Sequence, residues 1–256
     1  MTLALNKLKT AADFYWYHSV DLGNGQVTDG DYEMSQYLQH YHFPEELVGQ
    51  SVLDVGRASG YFAFEFERRG GDVTATELKS LADWDFVGGE SGKAARMKAY
   101  MENPDFEDYF IKGAFNFAHS TRKSKVTKVA TSVYNLSPSL FGGKTFDLVF
   151  AGSITSHLKS PILALERLHS VTSDSGTCIV SAPFLDIVAM RELPFMAMVG
   201  RTDPDLRSWW VMNALGLSEL LYAAGFKEVT IKSHFNLQHQ KEPTSIFPHI
   251  VAHATK

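Results

Sequence analysis

A chain of 256 residues with 45% hydrophobic and 21% charged side chains is long enough to bury roughly 70–75% of its unfolded surface in one large domain, and its 19 Gly and 9 Pro exclude a disordered, collagen-like or coiled-coil protein. The net charge of −5 supplies no general basic field for a nucleic acid backbone or an anionic membrane, so any such partner has to be met by a local patch. A single cysteine, Cys178, excludes an internal disulfide and a cysteine-rich zinc site, and with no sustained apolar run the expectation is a cytoplasmic protein without a membrane partner.

Short β-branched runs alternate with segments of helical period, the pattern of a parallel sheet covered on both faces. Residues 1–44 read as an N-terminal appendage or lid, and 45–256 as the main domain. In chain order the predicted strands are 51–56, 72–77, 126–134, 145–152, 176–183, 228–235 and 249–255. Helices are predicted in YFAFEFERR after the first strand, PILALERLHSVT after the fourth, and LSELLYAAGF before the sixth, where Gly225 serves as a left-handed stop. The last two strands have no helix between them and should pair antiparallel. Residues 78–125 and 184–213 exceed what a simple crossover needs and read as insertions over the ligand crevice. The fold class is therefore α/β: a Rossmann-like, mostly parallel seven-stranded sheet with a reversed last hairpin.

The most informative stretch is VLDVGRASGYFAFEFERRGGDVTATEL. A strand ends at Asp54, and the chain turns through Gly56 and Gly60 with the small Ala58 between them; a helix follows, and the second strand ends at Glu77. An acid at that strand end accepts hydrogen bonds from both hydroxyls of a ribose. A dinucleotide site calls for G-x-G-x-x-G, because a pyrophosphate must approach a helix N-terminus. The spacing here is G-x-x-x-G preceded by an acid, which suits S-adenosylmethionine (SAM), a cofactor with an ammonium and a sulfonium and no phosphate. A dinucleotide site and a purely structural strand-turn-helix remain the alternatives.

Over residues 45–256 the chain resembles the class I SAM-dependent methyltransferases. Within them it is similar to the wobble-uridine tRNA methyltransferase-like subgroup, through WYHSVDLGNGQVTDG, LDVGRASGYFAFEFERRGG, VYNLSP, FDLVFAGSITSHLKSPILALERL and WWVMNALGLSELLYAAGF. The resemblance implies that SAM is the donor and S-adenosylhomocysteine (SAH) the product, with no metal. It puts the methionine end of SAM against Asp54, Gly56, Ala58 and Gly60, its ribose on Glu77, and its adenine beside Leu78, Ser132 and Val133. Ala151, Gly152 and Ser153 should border the methyl group. Ser132 departs from the usual acid of relatives, and Arg57 from the usual small or thiol residue, which leaves its role open.

Transfer to oxygen or nitrogen needs alignment and a proton acceptor, for which histidine is suited near neutrality. His157, just past the fourth strand, and His18 are the catalytic candidates; His119 lies in the first insertion, and packing or capping is the alternative for each. Trp16, Tyr17, Phe117, Trp209 and Trp210 join His119 as candidate walls of an acceptor pocket, or as plugs of the sheet edge. The basic run RKSKVTK at 122–128 reads as a solvated surface. The leading expectation is methyl transfer to a small aromatic or hydroxylated metabolite. A tRNA wobble uridine is the alternative acceptor, and a SAM-binding protein without catalysis is the second alternative.

Overall fold

The computed structural model describes residues 9–88, 91, 112–200 and 208–256. Its main sheet has seven strands: β1 (Ser51–Val55), β2 (Asp72–Glu77), β3 (Thr127–Ala130), β4 (Phe146–Gly152), β5 (Thr172–Pro183), β8 (Glu228–Gln238) and β9 (Ile246–Thr255). Their order is β3-β2-β1-β4-β5-β9-β8, with β9 antiparallel to both β5 and β8. The remaining strands, β6 (Met196–Met198) and β7 (Trp210–Met212), form a separate antiparallel pair. The chain also forms helices α1 (Leu38–Tyr41), α2 (Tyr61–Arg68), α3 (Gly113–Arg122), α4 (Pro161–Val171) and α5 (Ala214–Ala223).

Two apolar layers sandwich the sheet, and each follows from helical spacing. On α2, Phe62 and Phe66 lie one turn apart and are buried with Phe43 and Phe150, while Glu65 is bound by Arg68 and Arg69. Burying each such ring stabilises the fold by about 1.5–3 kcal/mol. On the other face α4 starts at Pro161, whose missing amide costs nothing in a first turn, and buries Leu165 and Leu168 against Leu217 and Leu221 of α5. Asn213 caps α5 by accepting from the Gly216 amide at 2.8 Å, and the chain leaves that helix through Gly225 at φ +105°.

Two sequence expectations need correction. The predicted strand 126–134 stops at Ala130, because the Ser132 hydroxyl accepts from the Tyr134 amide and caps a 3-10 turn over Val133–Asn135. Residues 78–125 are not wholly an insertion: α3 is the crossover helix between β2 and β3, and residues 89–90 and 92–111 of that stretch lie outside the described ones. Part of the segment before residue 45 packs against the main domain. Phe14, Trp16, Val20, Leu22, Tyr32, Met34, Tyr41 and Phe43 are buried in the same cluster as α2, α3 and the sheet. The segment is tied to the last hairpin as well: His253 Nε2 donates to the Tyr41 carbonyl at 2.8 Å, and the Gln240 amide donates to the Asp31 carbonyl at 2.8 Å.

Candidate functional site

The parallel strands β1 to β4 all end on one edge of the sheet, and the loops that leave them enclose a cleft. The first loop turns sharply, with Gly56 at φ +77°, Ala58 at +47° and Gly60 at +95°. A Cβ on Gly56 would lie 2.7 Å from the Ile154 side chain, and one on Gly60 would lie 2.5 Å from the Phe115 ring. Gly56 thus keeps the cleft floor open, whereas Gly60 lets α3 close on α2. The turn is held by Glu77, whose Oε2 accepts from the Ala58 amide at 3.1 Å and whose Oε1 accepts from the Leu78 amide at 2.9 Å.

Asp54 lies beneath the loop, 1% exposed, and its Oδ2 has no hydrogen-bond partner. Burial pushes its carboxyl up to about 7; the Arg57 cation opposes that rise, the Glu77 charge adds to it, and the Ala63 amide opposes it. Arg57 itself is 7% exposed and turned onto the Phe115 ring, 4.2 Å from its centre. Burial lowers its affinity for a proton, while Glu77 and Asp54 raise it. The side chain is not among the residues that line the cleft.

The cleft is open to solvent, with a cavity volume of about 100 Å³. Val55, Gly56, Thr76, Glu77 and Leu78 form its β1–β2 side, Thr131 to Tyr134 its β3 side, and Ile154, His157 and Leu158 its β4 side. Asp83, Trp84 and Asp85 complete it. Sequence reasoning missed this last group, which carries no motif spacing. Asp85 is the fastener of the roof: its Oδ2 accepts from the Tyr134 hydroxyl and, at 2.7 Å, from the Lys159 amide, while its carbonyl accepts from Trp209 Nε1 at 2.6 Å. Trp210 Nε1 donates to the Leu158 carbonyl at 3.0 Å, so both tryptophans fasten the β6–β7 segment to the cleft wall.

Of the sequence-derived site residues, Gly56, Glu77, Leu78, Ser132, Val133 and His157 meet in the cleft, with the His157 ring edge-on to Trp84 at 5.7 Å. Asp54, Ala58 and Gly60 shape the loop behind it, and Ala151, Gly152 and Ser153 end β4 next to Ile154. The others lie elsewhere. His18, 7% exposed, packs against Tyr17, Tyr61 and Phe62 with Nδ1 unpaired, and burial lowers its pKa to about 3. Trp16 donates to the Ala11 carbonyl and meets Phe117 edge-on, Tyr17 packs on Tyr32, and His119 bonds the Val126 carbonyl at 3.0 Å. These five plug the α2–α3 face because large rings satisfy a packing demand there, and none of them lines the cleft. In the basic run, Arg122 is bound to the Asp21 carbonyl and lies over Phe64, and Lys128 bonds Asn116.

A SAM molecule fits these donors and acceptors on three counts: the unpaired Asp54 Oδ2, the acid ending β2, and the open floor at Gly56. Among the described residues no group of three or more His, Cys, Asp or Glu could hold a metal ion, and no helix is long and apolar enough to cross a membrane.

Comparison with known proteins agrees with this arrangement. A family model described as a methyltransferase domain matches residues 28–231. Among curated proteins, a tRNA U34 carboxymethyltransferase of Idiomarina loihiensis is 28% identical over 92 residues, which cover 36% of this chain and only 27% of that protein. Among solved structures, the SAH-bound N-terminal domain of EvdMO1 shares the fold at a TM-score of 0.53 and 13% identity, over 94% of this chain and 91% of that one. A possible histamine N-methyltransferase from Thermotoga maritima does so at 0.50 and 16%, over 86% and 89%. The chain therefore belongs to the methyltransferase-domain family and shares the fold of the SAH-bound EvdMO1 domain.

Proposed function

We propose that this chain methylates an oxygen or nitrogen of a small aromatic or hydroxylated metabolite. The observation that carries the reading is the cleft itself. Its far walls are Trp84, Tyr134, Leu158 and His157, and among the described residues its charged lining is the acids Glu77, Asp83 and Asp85. Such walls suit a compact, flat, uncharged or cationic acceptor and repel a phosphate backbone.

In this reading Glu77 takes the ribose hydroxyls, Leu78, Ser132 and Val133 enclose the adenine, and Asp54 with the Gly56–Gly60 loop meets the methionine end. SAM supplies an electrophilic methyl group on a sulfonium. The protein's part is to align and to move a proton: Trp84 and Leu158 position the acceptor ring, and His157 receives the proton that the attacking atom gives up. Trp209 and Trp210 support the roof, and His18, Trp16, Tyr17, Phe117 and His119 belong to the supporting core. The assumed compartment is the reducing cytoplasm, with which the free, buried Cys178 is compatible.

A tRNA wobble uridine is the second reading, favoured by the local likeness to the Idiomarina enzyme. The deciding experiment incubates the protein with methyl-labelled SAM and either a panel of phenols, amines and hydroxylated heterocycles or bulk tRNA. Label in a small molecule is the expected result. Label in tRNA alone, lost when Lys123, Lys125 and Lys128 are replaced by Glu, overturns the first reading in favour of the second.

A further inference from the structure

The face of the protein beside the β6–β7 pair is apolar, exposed and held in place. Val188 is 73% exposed, Leu193 and Met198 are each 62% exposed, and Leu185, Ile187 and Met196 are exposed with them. Met196 and Met198 lie two positions apart on β6 and so share one side of that strand. One buried side chain, Asn213, fixes the loop that carries the others. Its Nδ2 donates to the Met190 carbonyl at 2.9 Å and to the Leu193 carbonyl at 2.8 Å, and its Oδ1 accepts from the Phe195 amide at 3.0 Å. The Leu185 amide donates to the Met212 carbonyl at 2.9 Å, which seats the loop on β7. The Phe184 amide donates to the Pro248 carbonyl at 3.0 Å, which brings the exposed Ile246 and Phe247 of β9 alongside.

The area of this face bears on what it fits. At their exposures these eight side chains leave roughly 700 Å² of largely apolar surface, above the ~300–600 Å² of the largest patch on a typical monomer and close to the ~800 Å² that each partner gives to a stable interface. Charge narrows the choice of partner. Arg191 is the one cation between residues 185 and 198, and Asp186 holds it: Nε donates to Oδ1 at 2.6 Å and Nη2 donates to Oδ2. Glu192 beside it adds a negative charge, so a polyanion or an anionic bilayer meets no uncommitted cation in this stretch. A face with a matched acid and base of its own is instead complementary to itself. A twofold axis sets each Asp186 against the Arg191 of the other copy, and an exposed pair gives up its internal bond at little cost.

We propose that this face docks a second copy of the chain, giving a twofold dimer with the apolar side chains of 185–198 and 246–247 at its centre and the Asp186–Arg191 pairs exchanged between copies at its rim. Asn213 fixes the loop beforehand, so little ordering cost opposes association. The dimer also bears on the cleft. Trp209 and Trp210 fasten the β6–β7 segment to the cleft wall, and a copy seated on β6 braces that segment from outside. The proposal holds whichever acceptor is methylated.

Sedimentation velocity on the full chain tests it. The wild-type protein is expected to be a dimer at about 10 μM, and the double variant Val188→Glu/Met198→Glu a monomer that circular dichroism shows to be folded, since both side chains are exposed and neither lines the cleft. Asp186→Arg alone and Arg191→Glu alone should each associate about tenfold or more weakly than wild type, and an equimolar mixture of the two should form the dimer again, because acids and bases then meet only between unlike copies. A wild-type monomer at that concentration, a dimer that survives Val188→Glu/Met198→Glu, or a mixture no more associated than its components overturns the proposal. So does a wild-type monomer that floats with phosphatidylcholine vesicles, which would make the face a lipid surface.

Discussion

Glu77 Oε2 accepts from the Ala58 amide at 3.1 Å, so the acid proposed to meet the cofactor ribose is also the group that holds the glycine loop in its left-handed turn. Two substitutions separate these roles. Glu77→Ala removes both, and cofactor affinity measured by calorimetry is expected to fall by about 1.5–3 kcal/mol, the range for hydrogen bonds to a charged group. Glu77→Gln keeps an acceptor for Ala58 and should lose less. Unchanged affinity in a folded Glu77→Ala protein would remove Glu77 from the site.

Asp54 gives a pH dependence of definite sign. Its carboxyl titrates near 7 in the fold, against an ordinary value of 3.8. Between those values the unfolded chain has lost a proton that the fold still holds, so this group's contribution falls as pH rises from about 4 to 7 and is level above that. Asp54→Asn should abolish that fall. A cofactor ammonium stabilises the ionised form, so SAM binding near pH 7 is expected to release protons. Calorimetry in phosphate and in Tris, whose ionisation enthalpies differ, reads the release, and Asp54→Asn should eliminate it.

His18 acts in the opposite direction. It is neutral in the fold, with a pKa near 3, and gains a proton on unfolding below 6.5. Its contribution is therefore present above pH 6.5 and lost as pH falls toward 3. His18→Phe suits a pocket formed by Tyr17, Tyr61 and Phe62. It should flatten the loss of Tm between pH 6.5 and 4 while methyl transfer is retained. A large drop in turnover at unchanged stability would return His18 to the catalytic group.

Residues 14–22 and Tyr32 should behave as core. Hydrogen exchange is expected to find the amides of Ser19, Leu22 and Tyr32, all bound to backbone carbonyls, equally protected with and without SAM. Protection that appears only on ligand binding would instead describe a closing lid.

Tyr134 and Asp85 offer a test of the roof. Tyr134→Phe deletes the hydroxyl that donates to Asp85 and accepts from the Ser160 amide at 3.0 Å. The expected loss is about 1–3 kcal/mol of stability, measured by urea unfolding. SAM affinity should weaken as well, because Tyr134 and Asp85 both line the cleft. A stable variant with unaltered affinity would show that the roof holds without this fastener.

What the sequence disclosed was what depends on local pattern. Strands β1, β2 and β4, the reversed last hairpin and the Asp54–Glu77 loop are written in alternation, turn residues and spacing within about 30 residues. The β6–β7 pair was illegible because three-residue strands carry no period. The aromatic residues at 14–17 looked like pocket walls because rings that cover a sheet and rings that cover a ligand have the same composition. Asp85 and the Ser153–His249 contact depend on segments far apart in sequence, the latter across 96 positions brought together by the β4–β5 and β5–β9 pairings.

The ties between the first forty-odd residues and the last hairpin bear on how the protein is made. Tyr41 waits for His253, 212 residues later, and the His40 carbonyl waits for the Ser233 hydroxyl, 193 later. During synthesis Phe14, Trp16, Tyr32, Tyr41 and Phe43 therefore leave the ribosome long before β8 and β9 exist to complete their surroundings. A chain stalled before residue 228 is expected to carry an exposed aromatic cluster of the kind chaperones recognise, and the emergence and pairing of β8 and β9 is the step expected to end that exposure.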